Sequence, residues 1–115
     1  MNTICHIEIM TKDLDRAQAF YAGVFENWTF RSFIPGMTIF GVGETHIGGL
    51  MLADEVTTGN SPSVWVQVED LDATLSRVLA KGGTVTSEKS EVPSVGWSAA
   101  FADPEGSPIG VVQYT

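Results

Sequence analysis

Cysteine is nearly absent from this sequence: Cys5 is the only one in 115 residues. A single thiol excludes an intrachain disulfide framework and a thiolate zinc site. Basic residues are also scarce, six Lys and Arg against fourteen Asp and Glu, for a formal net charge of −8. A nucleic-acid binder needs a basic footprint, so that class is excluded. The same acidity disfavours docking on anionic membranes and would suit a cationic partner. No apolar run approaches the roughly 20 residues that a membrane helix requires. Residues 1–10 carry His6 and Glu8 and no basic segment, unlike a secretory leader. The expectation is a soluble cytoplasmic protein with no nucleic-acid or membrane partner. With 43% hydrophobic and 17% charged residues, the chain has apolar material for one ordinary core and too little charge for disorder.

What the sequence does contain is a repeat. Asp13-Leu14-Asp15 returns as Asp70-Leu71-Asp72, and at the same offset His6-Ile7-Glu8-Ile9 falls on Ser63-Val64-Trp65-Val66. Near the end of each half, Thr45-His46-Ile47-Gly48-Gly49-Leu50 resembles Ser107-Pro108-Ile109-Gly110-Val111-Val112. That pairing sets Gly48 against Gly110. Such internal self-similarity means one supersecondary unit used twice.

The order of elements is the same in both halves. Ile4, Ile7 and Ile9 alternate with polar residues, a strand pattern over 3–11. Asp13 stands where an N-cap belongs, and Leu14, Ala17, Phe20/Tyr21 and Val24 follow at helical spacing. Three β-rich stretches over 27–34, 37–43 and 45–52 come next, punctuated by Pro35-Gly36 and Gly43-Glu44. The second half repeats this: a strand through Val64, Val66 and Val68, a helix capped by Asp70 and stopped by Gly82-Gly83, then strands near 83–88, 95–102 and 107–114. Asp103-Pro104-Glu105-Gly106 suits a tight turn. The expected organisation is α+β, two tandem βαβββ modules within one domain over 1–115. Module 1 covers about 1–53, a linker 54–61, and module 2 about 62–115; neither half is large enough to bury a core alone.

This duplication resembles the vicinal oxygen chelate superfamily, which includes glyoxalase I, extradiol dioxygenases and bleomycin-resistance proteins. The resemblance is carried by His6–Ile9, Asp13–Ala17 with Phe20-Tyr21, Val68–Ala73, Lys81-Gly82-Gly83, Val95-Gly96-Trp97 and Phe101–Gly106. It implies an incomplete barrel around a cavity, and commonly a homodimer. Metal-dependent members place one ligand on the first and last strand of each module. These positions fall here on His6, Gly48, Ser63 and Gly110, of which only His6 ligates strongly. The expectation is therefore no metal and no cofactor. One alternative stays open: Glu8 shares a strand face with His6, and a relocated divalent metal on His6, Glu8 and His46 would support a glyoxalase-type lyase or isomerase. Glu8 is also a candidate general base.

A cavity relieved of metal ligands suits a small, planar organic molecule oriented by a few polar groups. The candidate ligand-binding residues are His6, Glu8, Phe40, His46, Trp65, Gln67 and Trp97, with core packing the competing role for each aromatic. Asp13, Asp70 and the Asp103 turn read as structural. Cys5 alternates away from His6 and reads as an inert thiol facing the helix layer. No nucleophile elbow or phosphate-cradling glycine loop is present.

Overall fold

The computed structural model describes residues 1–57, 59 and 61–115. The expected linker over 54–61 contains Thr58 and Asn60, which lie outside the described residues. The element order is β1 (Thr3–Thr11), α1 (Leu14–Val24), β2 (Trp28–Ile34), β3 (Met37–Val42), β4 (Thr45–Leu52), β5 (Ser63–Gln67), α2 (Leu71–Ala80), β6 (Thr84–Val92), β7 (Gly96–Ala102) and β8 (Pro108–Tyr114). The fold is α+β, βαβββ twice over. The chain forms two compact units, Cys5–Ser63 and Val64–Thr115, the latter joined by Met1–Ile4. That capture of the N-terminus was not expected from the repeat; it is fixed by Asn2 N donating to the Gln67 carbonyl at 2.8 Å.

Both helices begin for the reason their sequences suggest. The Asp13 carboxylate accepts from Arg16 N and the Asp70 carboxylate from Ala73 N, each at 3.0 Å, satisfying amides that have no partner within the helix. α2 ends where Gly82 takes a φ of +93°, a conformation glycine adopts without strain. The Asp103 carboxylate accepts from Glu105 N and Ser107 N, which closes the turn before β8.

In the first unit the strands lie in the order β2-β3-β4-β1, and in the second β5-β8-β7-β6. Each set is mixed: β1 runs parallel to β4 and β5 parallel to β8, and the remaining pairs are antiparallel. One face of each set carries the helix and the core. In the first unit that face bears Ile7, Trp28, Phe40 and the fully buried Leu50, with Tyr21 of α1 stacked on Trp28 at 5.9 Å. In the second, Val66, Ala99 and Val111 pack with Val68, Leu71 and Leu75 of the α2 side. The opposite face of each set, the one turned away from its helix, carries His6, Glu8 and His46 in the first unit and Trp65 and Gln67 in the second.

Candidate functional site

Directly opposed residues on paired strands point to the same face, and successive residues alternate. These two rules decide which candidates meet. In the first unit Glu8 lies opposite Gly49, Gly49 opposite Ile39, and Ile39 opposite Arg31. This rung, with His6, Met10, Met37 and Met51, forms the face away from α1. A register shift between Phe40 and Gly41 then sets Phe40 against Gly48 but Gly41 against His46. Ile47 is the extra residue. Such a bulge turns the chain by one position, and it delivers His46 to the face of His6 and Glu8.

The three side chains are in contact. The Nδ1 of His6 lies 2.8 Å from the Nε2 of His46, and the two rings meet edge to edge, 19° from coplanar, with centroids 5.1 Å apart. The other ring nitrogen of His6, Nε2, faces Glu8 Oε1 at 3.5 Å. His6 is thus held between its two partners, one on each side of the ring. Glu8 is buried, at 8% exposure, whereas His46 is exposed. Partial burial against the sheet, then the charges of His6 and Arg31, lower the pKa of His46 below the ordinary histidine value of 6.5. Around this polar group, Met10, Met37, Ile39 and Met51 supply a half-buried apolar floor. Thioethers adapt readily to irregular ligands.

The register moves one position of the repeat. Glu8 opposite Gly49 is the counterpart of Trp65 opposite Gly110. Gly49, not Gly48, therefore matches Gly110, and Gly48 lies on the helix face beside Ile7. A side chain at Gly48 would meet the Ile7 carbonyl and the tip of Phe40. The glycine there permits close strand approach and leaves no vacated ligand position.

In the second unit, Ser63, Trp65, Gln67 and Gly110 share the face away from α2. The Trp65 indole lies over Gly110, in the volume that any side chain at position 110 would take. The absent ligand is replaced by an aromatic ring, so the space expected to be empty is filled. Phe40 and Trp97, both expected to border the cavity, lie on the helix faces. Phe40 is 3% exposed and stacked on Trp28 at 4.7 Å. Trp97 packs on the second core beneath Lys89, whose Nζ sits 4.9 Å from its ring centroid and 3.0 Å from Asp72. Arg31 and the methionines were missed by the sequence reading. Alternation along β1, β3 and β4 puts the methionines on this face, whereas Arg31 joins it only through its pairing with Ile39.

A divalent metal needs several donors aimed at one point. Here Glu8 and His46 address opposite nitrogens of His6, and the residues at positions 48, 49 and 110 have no side chain. Among the described residues no group of three or more His, Cys, Asp or Glu is arranged to hold a metal ion. Among the same residues no helix is long and apolar enough to cross a membrane.

Comparison with known proteins agrees with this architecture. Residues 3–111 match the model of the Glyoxalase/Bleomycin resistance protein/Dioxygenase superfamily. The Mycobacterium tuberculosis protein named "Putative glyoxylase CFP32" is 31% identical over 114 residues, 96% of this chain and 44% of that protein. The chain thus spans less than half the length of the curated relatives it matches. The Mn(II)-bound glyoxalase from Novosphingobium aromaticivorans superposes with a TM-score of 0.71 at 26% identity, over 97% of this chain and 38% of its own. Methylmalonyl-CoA epimerase from Mycobacterium tuberculosis has the same fold, with a TM-score of 0.71 at 18% identity over 98% of this chain and 88% of its own.

Proposed function

Because this chain belongs to the Glyoxalase/Bleomycin resistance protein/Dioxygenase superfamily, we propose that it binds a small, planar organic molecule without the metal used by metal-dependent members. One observation carries this reading: the face of the first unit away from α1 sets the linked His46, His6 and Glu8 beside the apolar floor of Met10, Met37, Ile39 and Met51. A few oriented polar groups beside apolar surface are what a small-molecule site needs. The donor geometry supports the metal-free form, since His6 is engaged at both nitrogens by residues that do not share a focus with it.

The test is a thermal-shift and calorimetric screen against small planar acids and neutral aromatics, with and without chelator. A true ligand raises the melting temperature in proportion to its saturation. The shift is expected to persist in chelator and to shrink in Ile39→Asp, which places a charge in the floor. Trp65→Ala reports whether the second unit takes part. A ligand effect that disappears with chelator overturns the reading.

The second reading is a metal-dependent lyase or isomerase, favoured by the facing of His6 Nε2 and Glu8 Oε1 at 3.5 Å and by the likeness to a Mn(II)-bound glyoxalase. Stabilisation by manganese, zinc or nickel that is lost in Glu8→Gln would support it over the first. Homodimer formation belongs to the same proposal; exposed Phe20, Val24 and Phe25 on and after α1 are suited to burial by a second copy. Light scattering is expected to give twice the 12.4 kDa chain mass.

A further inference from the structure

Among the described residues Glu8 is the one buried charged residue, and its side chain is only 10% exposed. It accepts no hydrogen bond from those residues, and His6 Nε2, at 3.5 Å, stands beyond the usual range. Buried polar groups are nearly always hydrogen-bonded, because an unmet acceptor forfeits the hydration it had in water. A carboxylate so placed calls for a donor from outside the chain.

The rung that holds Glu8 ends at Arg31. Between them stand Gly49, with no side chain, and the apolar Ile39. Three strand spacings, about 14 Å across the sheet, keep the two charges from pairing. Among the described residues no carboxylate is paired with Arg31, whereas Lys89 of the second unit is matched to Asp72 at 3.0 Å. The charge of Arg31 nevertheless acts on this face, where it is felt at His46. Two residues along the strands, Met10, Met51 and Met37 oppose one another in a row on the same face. They give the strip an apolar border about 6.5 Å to one side.

We propose that this face takes a planar aromatic acid lengthwise along the rung, its carboxylate on the Arg31 guanidinium and an N–H or O–H donor at its far end on Glu8. The proposal rests on the small-molecule binding proposed above and fixes the polarity and class of that ligand. Guanidinium and carboxylate match in geometry and charge. The ring lies on Ile39 and over Gly49, where no side chain lifts it, and the thioethers adapt to its edge. The reversed orientation would set two carboxylates together at Glu8, so it is disfavoured. An acid without the far donor would cover Glu8 and leave it unmet, which makes the donor a strong criterion of selection. This is recognition only: no bond forms or breaks.

Titration calorimetry at neutral pH with 4-aminobenzoate, benzoate and methyl 4-aminobenzoate separates the two ends. 4-Aminobenzoate is expected to bind about tenfold more tightly than benzoate, which has no donor for Glu8. It is expected to exceed the methyl ester, which has no anion for Arg31, by about the same factor. Glu8→Leu, which cannot accept, is expected to erase the first ratio and keep the second; Arg31→Gln is expected to do the reverse. A general distortion of the face would weaken all three probes alike and could not produce this crossed pattern. Equal affinities of the three probes overturn the inference and leave small-molecule binding standing. Ratios that survive both substitutions overturn it too, because the selectivity then lies elsewhere. Absence of binding by all three also overturns it, and the broader screen judges the binding reading separately. The ratios are measured first in the parent chain, so a misfolded variant does not decide the outcome.

Discussion

The two modules share one backbone plan and have put different chemistry on it. At matched positions, His6 and Glu8 of the first correspond to Ser63 and Trp65 of the second, and Gly49 corresponds to Gly110. In the first module the glycine is not demanded by the His6 ring: a side chain at Gly49 would meet His6 Cε1 at 3.4 Å and Met37 Cγ at 3.5 Å, ordinary contact distances. In the second it makes room for an indole, in closer contact. A glycine opposite a large residue is the common arrangement, and the large residue decides what the face does. Histidine and glutamate leave a polar face, whereas tryptophan leaves one that is packed.

The sharpest way to break this comparison is to remove the large residue from each module. Trp65→Ala is expected to destabilise by about 2–3 kcal/mol, the low end for a large aromatic because the ring is only partly buried. Glu8→Gln, at the matched position, preserves volume and is expected to cost less than about 1 kcal/mol, since the ion pair at 3.5 Å is long. Paired urea titrations read both values. A loss from Glu8→Gln as large as that from Trp65→Ala would mean that the first face depends on the Glu8 charge as much as the second depends on the Trp65 ring.

The glycines give a smaller and more specific contrast. Gly110→Ala forces a methyl group into the Trp65 ring and is expected to cost about 1–3 kcal/mol. Gly49→Ala meets its neighbours at ordinary contact distance and is expected to stay within about 0.5 kcal/mol of the parent. In a Trp65→Ala background the cost of Gly110→Ala should largely vanish, a coupling that a double-mutant cycle measures directly. Additivity of the two changes would separate Gly110 from Trp65 and undo the pairing.

Sequence periodicity reached most of the architecture because it reports local chemistry. Asp13 and Asp70 cap helices at the residues their spacing predicts, and β1 has its expected limits. Strand β6 continues to Val92, past the expected end near residue 88, because its polar residues are exposed and gave no apolar alternation to follow. The facing of site residues was less legible. The likeness of Ile47-Gly48 to Ile109-Gly110 sets Gly48 against Gly110 in the sequence, whereas the strand register, Glu8 opposite Gly49 and Trp65 opposite Gly110, puts Gly49 there. Without the bulge at Ile47 His46 would share the helix face with Gly48; with it, His46 meets His6. Phe40 and Trp97 were assigned to the wrong face for a related reason: an aromatic on a strand fits either face until its cross-strand partner is known. The Val42 and Gln113 registers settle them, through Trp28 and Trp97 respectively. Arg31 is invisible to periodicity because it matters only through a neighbour two strands away.

The smallest effect expected is a pH dependence confined to the first module. Burial, His6 and Arg31 together lower the pKa of His46 in the folded chain below 6.5. Between the unfolded and folded values, the unfolded chain binds more protons at this site, so stability there rises with pH. The contribution is complete above about pH 6.5 and is lost progressively as pH falls towards the lower folded value. Solvent screening of an exposed ring keeps it small. His46→Asn is expected to flatten the stability profile over that acidic window and leave it unchanged above it, measured by urea midpoints across pH. Ser63→Ala, at the position matched to His6, should leave the slope intact. A slope that survives His46→Asn would assign the acid sensitivity to other groups and remove the one titratable asymmetry claimed between the modules.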